Sequence, residues 1–266
     1  MIEVLQPGPA STIQGARAFR QAHLGVPLGG PADAHSHANA NRLVANSDNA
    51  NALEMTLLGV TLLFHVHARV SLCGAPFEAS IPFNQSVNLK PGDTLIIRGT
   101  PRGARCYLAV SGGIDLASGT RLTKGQILPV NEPPLISTSL VSLYDPPTFP
   151  DPVELRYTSD TPHPDLLYDV TNDASRRGIR LAGPALAFNR EIITEGVNAG
   201  TIQVPPNGQP VILFYDQTTT GGYPKLGTII RADLPRVGQL RPRDRVLLRQ
   251  ISWDQAALLA IHEAID

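Results

Sequence analysis

At 266 residues, 42% hydrophobic and 17% charged, the chain has room for one large or two small domains with a real core. Lys and Arg number 22 against 23 Asp and Glu, so no basic surplus argues for nucleic acid or an anionic membrane surface. With no basic-then-apolar leader, no Cys-x-x-Cys spacing between Cys73 and Cys106, and no apolar run near ~20 residues, the expectation is a soluble cytoplasmic protein with free thiols.

Glycine (23) and proline (24) cut the chain into short apolar runs, the punctuation of a mainly β protein. In chain order, Asp33 is a plausible N-cap for an Ala-rich helix reaching Asn46, with Leu43 and Val44 toward the core. Strands follow at 61–64, 70–73, 94–98 and 106–110, then a Pro-rich linker at 131–152. Two more strands are expected at 211–215 and 245–249, and a closing helix at 254–263.

Three motifs recur in the same order in both halves. His23-Leu-Gly-Val-Pro-Leu-Gly-Gly-Pro31 parallels Arg176-Arg-Gly-Ile-Arg-Leu-Ala-Gly-Pro184. Glu54, Gly59 and Val70 parallel Glu195, Gly200 and Val211, and Leu89-Lys-Pro-Gly-Asp93 parallels Leu240-Arg-Pro-Arg-Asp244. The collinear echoes imply two related β units, 1–140 and 141–266, with a cleft between paired units as the default small-molecule site.

The most informative chemistry lies at 211–224. A buried strand, Val211-Ile212-Leu213-Phe214, delivers Asp216 and three threonines into a loop that Gly221, Gly222 and Pro224 hold open. Turn capping explains the same residues equally well. Gln203, stiffened by the following Val-Pro-Pro, could read a ligand amide. On the first helix Asp33, His37 and Asn41 share one face, which reads as solvated more readily than as a cleft wall. Arg42 beside them could hold a carboxylate or phosphate. His65-x-His67 offers two imidazoles but no third ligand, so no metal is expected. Cys106 reads as core, and no phosphate-binding Gly-x-x-x-x-Gly-Lys-Ser/Thr or Gly-x-Ser-x-Gly elbow is present.

Several motifs resemble the biotin-dependent carboxyltransferase family, also called allophanate hydrolase subunit 2-like. They include His23-Leu-Gly-Val-Pro-Leu-Gly-Gly30, Ala40-Asn-Arg-Leu-Val-Ala-Asn46, Leu53-Glu-Met-Thr56, Ala109-Val-Ser-Gly-Gly-Ile114 and Arg176-Arg-Gly-Ile-Arg-Leu181. The block from Ile202-Gln-Val-Pro-Pro to Gly-Gly-Tyr-Pro224 is the most specific of them. The resemblance implies two cyclophilin-like β-barrel units and the role of the C-type component of 5-oxoprolinase, the enzyme that opens 5-oxoproline to glutamate. It implies a B-type (allophanate hydrolase subunit 1-like) partner protein and an A-type protein. ATP is then handled by the partners, with no cofactor on this chain. Two alternatives stand beside it: a non-catalytic regulatory partner of the kinase-inhibitor antagonist type, and carboxyl transfer between biotin and urea. On this basis Asp216 and Gln203 are the expected catalytic residues. Asn41, Arg42, Arg176, Thr219, Thr220, Gly221, Gly222 and Tyr223 form the expected substrate-binding set. The chain departs from the family where acids are lost, at Gln14-Gly-Ala-Arg-Ala18 and Ala174-Ser-Arg-Arg-Gly178. Lost carboxylates remove candidate general bases and favour the regulatory alternative.

Overall fold

Short runs between glycines and prolines become short strands in this computed structural model, which describes residues 1–132, 146–188 and 193–265, with side chains as far as 260. Part of the expected 131–152 linker lies outside the described residues. Two compact units divide the chain, Met1–Arg17 with Gly29–Thr148, and Ala18–Leu28 with Phe149–Asp266. A single boundary at 140/141 has no place for the early excursion Ala18–Leu28, which counts with the second unit.

The first unit holds β1 (Ile2–Gln6), β2 (Ser11–Gln14), helix α1 (Ala34–Leu43), β3 (Ala52–Thr56) and β4 (Thr61–Phe64). It continues through β5 (Ala68–Gly74), β6 (Ser86–Leu89), β7 (Thr94–Ile96), β8 (Arg105–Val110) and β9 (Ile127–Leu128). These pair into a four-stranded sheet, β7-β4-β1-β9, and a five-stranded sheet, β2-β3-β8-β5-β6. Every residue of β8 is buried, one face of it beneath α1. There Ala40, Leu43 and the C-capping Val44 pack with Ala52, Cys73, Tyr107 and Ala109. Asp33 caps the helix, accepting from the Ser36 amide at 3.0 Å.

The second unit holds β10 (Val153–Thr158), β11 (Leu166–Val170), β12 (Gly178–Ala182), β13 (Glu195–Gly196) and β14 (Thr201–Gln203). After them come β15 (Val211–Leu213), β16 (Thr220–Gly221), β17 (Lys225–Ile229), α2 (Leu234–Gln239), β18 (Arg245–Gln250) and α3 (Trp253–Ile265). Seven strands close a barrel, β10-β17-β14-β15-β12-β11-β18, while β13 and β16 form a separate ribbon. The expected fold class, mainly β with a few short helices, is the one observed. Among the described residues no helix is long and apolar enough to cross a membrane.

One echo is a true structural repeat. The Lys90 amide donates to Asp93 Oδ2 at 2.7 Å and the Arg241 amide to Asp244 Oδ2 at 3.0 Å. Gly92 and Arg243 both take positive φ, 93° and 77°, and their amides reach Phe64 O and Val170 O, each at 2.8 Å. The other two echoes diverge. Residues 23–31 form a loop where 176–184 carry β12, and Glu54 is buried where Glu195 is exposed. The arginine at 243 occupies a conformation that costs an L side chain energy which glycine avoids. Arg243→Gly should therefore raise unfolding free energy by about 0.5–1 kcal/mol, measured by urea denaturation.

Each unit buries a carboxylate against an arginine. Glu54 Oε2 accepts from the Ala32 amide at 2.9 Å and the Tyr107 hydroxyl at 2.8 Å, and Oε1 lies 3.6 Å from Arg105 Nε. The Tyr107 oxygen accepts in turn from the Asp33 amide at 2.8 Å. In the second unit Asp233 accepts from the Arg156 amide at 2.7 Å and from its Nε and Nη2 at 2.9 and 2.7 Å. Glu54→Ala leaves buried donors without their acceptor and should cost about 3–5 kcal/mol in the same measurement.

Candidate functional site

The apolar run of β15 ends in Phe214 and Tyr215, both buried, and the chain then turns through Asp216 to Thr219 before β16. Asp216 does not stand free in that turn. Arg176 Nε and Nη2 donate to its two oxygens at 2.7 and 2.9 Å, and the Asp216 amide donates to Arg176 O at 2.9 Å. Arg176 opens the segment leading into β12, so this two-pronged clip ties the start of one strand to the turn after its sheet neighbour.

Gln203 and Gly221 are brought into direct contact. A Cβ at Gly221 would lie 2.4 Å from Gln203 Nε2, so the missing side chain makes room for the amide. Gln203, 5% exposed, also approaches Tyr223 O at 3.4 Å from Nε2. The expectation that the glycine pair holds a loop open is corrected on this point. Thr220 and Gly221 form β16, paired with Glu195 and Gly196, and neither Gly221 nor Gly222 takes a positive φ.

The remaining expected binding residues separate. Thr219 lines a cavity of about 280 Å³, whereas Gly222 and Tyr223 line a different concavity beside Pro205 and Pro206. Asn41 and Arg42 belong to the first unit. Asn41 is fully buried, donating to Ala50 O at 2.9 Å and accepting from Asn46 at 3.0 Å. Arg42 is exposed and paired with Asp48 at 2.8 Å. The face shared by Asp33, His37 and Asn41 is buried throughout, neither solvated nor a cleft wall. Asp33 caps α1 while His37 Nε2 bonds Gln14 O at 3.1 Å and Asn41 bonds backbone. His65 pairs with Glu3 at 2.9 Å, and among the described residues no three His, Cys, Asp or Glu come together as a metal set. Burial pushes the Cys73 thiol up to about 12 and that of Cys106 well above its ordinary range, which removes both as nucleophiles.

The smaller cavity joins Ala18–Leu28 to residues 197–199 and 217–219, all within the second unit. Its apolar walls include Phe19, Pro27 and Val197, and its polar ones Arg20, Asn198 and Gln217. Gln217 and Arg20 were absent from the expected site.

The chain belongs to the family described as carboxyltransferase domain, subdomain A and B, whose model matches residues 24–250. It is 30% identical to the C-type component of the 5-oxoprolinase of Escherichia coli, over 96% of this chain and 93% of that one. The corresponding 5-oxoprolinase component of Haemophilus influenzae is 25% identical over 97% and 94%. The crystal structure of the K. lactis urea amidolyase matches with a TM-score of 0.87 at 26% identity, over 100% of this chain but 20% of that one.

Burial lowers the His37 pKa from 6.5, outweighing the Gln14 carbonyl that accepts from its neutral ring. Below pH 6.5 the unfolded chain takes up a proton that the folded ring refuses, so stability falls as pH drops through that point and not above it. Unfolding free energy measured from pH 7.5 to 5 should decline for the natural protein. His37→Gln should flatten that decline by up to about 1.4 kcal/mol per pH unit.

Proposed function

We propose that this protein is the C-type component of an ATP-dependent 5-oxoprolinase, opening a cyclic amide to glutamate together with a B-type (allophanate hydrolase subunit 1-like) partner and an A-type protein. The similarity to the C-type component of the Escherichia coli 5-oxoprolinase, 30% identity over 96% of this chain and 93% of that one, carries the reading. The small cavity of the second unit is the substrate site in this reading. Asp216 acts as a positioning residue, holding the turn from 217 to 219 through Arg176, and Gln203 fixes the neighbouring hairpin by its contact with Gly221. Thr219 and Asn198 face the substrate, while ATP is handled by the partner proteins, in the cytoplasm.

The regulatory alternative draws on the clip itself, because both Asp216 oxygens are already engaged by Arg176 and no longer serve as an open base. Under the carboxyltransferase alternative biotin arrives on a carrier from another chain.

Co-expression with the A-type and B-type proteins, followed by 5-oxoproline-dependent ATP hydrolysis, tests the assignment. The complete complex should turn over, and Asp216→Ala should lower kcat at least ~10-fold, about 1.4 kcal/mol or more of barrier, while the complex still forms. Equal turnover with this chain omitted would instead establish the regulatory reading.

A further inference from the structure

The excursion Ala18–Leu28 closes at its neck, where the Ala18 amide donates to Leu28 O at 2.8 Å, and no residue along it is buried. It is nonetheless largely apolar, carrying Ala18, Phe19, Ala22, Leu24, Val26 and Leu28. Phe19 and Leu24 are each 69% exposed, more than any other phenylalanine or leucine among the described residues. Apolar side chains exposed singly are ordinary. Two bare ones on one short, mostly apolar excursion form a surface suited to being covered.

The excursion is shaped, not slack. The Leu24 and Gly25 amides donate to Gln21 O and Ala22 O, each at 2.9 Å, closing a 3₁₀ turn at Ala22–Leu24 that Gly25 ends with φ 74°. Arg17 ties the base, donating to Gly29 O and Pro31 O at 2.5 and 2.6 Å. Arg20 takes φ 62°, a conformation unfavourable for an L side chain, and it is exposed, so no burial of its own offsets the strain. Strain kept at such a residue points to a use for its side chain outside the chain. A loop already shaped loses little freedom on docking.

Charge selects the partner. From Gly15 to Ala32 the chain carries Arg17, Arg20 and His23 and no acid. Arg17 is taken by the neck carbonyls, which leaves Arg20 and His23 on the exposed turn. Their complement is an apolar socket with carboxylates on its rim. Holding an anionic membrane takes a cluster of bases, more than this segment supplies, so a folded protein is the occupant it fits.

We propose that Ala18–Leu28 is a docking knob, its Phe19 and Leu24 seated in an acid-rimmed apolar socket of the B-type partner protein and its Arg20 against the rim. The inference rests on the oxoprolinase reading for that partner's identity, and goes beyond it by naming the surface that meets it. Because Phe19 and Arg20 also line the small cavity, a partner seated on them borders its mouth.

Isothermal titration of the purified B-type protein into the full chain tests it. The natural chain should bind, and Phe19→Ser and Leu24→Ser should each weaken binding at least ~10-fold. Arg20→Glu should weaken it at least ~10-fold in about 20 mM salt and less in about 300 mM. Trp253→Ser, at another bare aromatic, 61% exposed on α3, should leave the affinity unaltered. Each variant should melt with the natural chain, since none of these side chains is buried. Amide exchange across 18–28 should slow in the complex. Undiminished binding by a folded chain carrying both Phe19→Ser and Leu24→Ser overturns the proposal, as does a natural chain that does not associate with the B-type protein. So does that double variant losing self-association, or binding to phosphatidylserine vesicles, with its B-type affinity intact; the knob would then serve a second copy or a membrane. A chain that docks through the knob in a complete complex inactive on 5-oxoproline sinks the catalytic reading alone. An active complex indifferent to both substitutions sinks this inference alone.

Discussion

A carboxylate held at 1% exposure constrains everything around it, and Glu54 is that group in the first unit. It remains in place only with donors on its oxygens and a positive charge nearby. The Tyr107 hydroxyl, the Ala32 amide and the Arg105 guanidinium meet that demand, from β8 and from the segment entering α1. Burial drives the Tyr107 pKa well above its usual value, keeping the ring a neutral donor. Because Tyr107 also receives the Asp33 amide, and Asp33 caps α1, one acid on β3 sets both the start of the helix and its seat on the sheet. The second unit solves the same problem with Asp233 and Arg156, where backbone and side chain of a single arginine supply three donors.

Local patterning made much of this fold legible. The Ala-rich run after Asp33 forms α1, the 61–64 strand appears with the expected limits, and the closing helix runs from Trp253 to Ile265 where 254–263 was read. The turn at 89–93 and its counterpart at 240–244 are legible because Pro and Asp at fixed offsets encode one hydrogen-bonding pattern. Sequence similarity failed where tertiary placement decides. Residues 23–31 and 176–184 share Gly, Leu and Pro yet form a loop and a strand, and α2 begins beside Pro235, a start signal that patterning alone passed over. The polar face of α1 was misjudged because a helix read alone does not show what lies over it. Asp33, His37 and Asn41 are buried because backbone groups distant in sequence satisfy them.

For the candidate site, the contacts around the turn after β15 were the part that patterning did not show. The strand-to-turn transition drew attention to Asp216, but its partner Arg176 lies 40 residues earlier and becomes visible only once β12 and β15 pair. Gly221 looked like a ligand-facing glycine, and its reason is instead the bulk of Gln203 on the adjoining strand. Gln217 carries no distinguishing pattern of its own; what marks it is an acceptor left without a donor, a property of the folded molecule.

The excursion Ala18–Leu28 also bears on how the polypeptide can be divided. Its residues leave the ribosome before any strand of the barrel they accompany has been made, so they wait without a platform until the C-terminal half emerges. A fragment starting at Phe149 would carry the complete barrel yet lack a side of its own cavity. Gene splitting or domain exchange at the Pro-rich junction would therefore part the barrel from residues 18–28, which line its cavity.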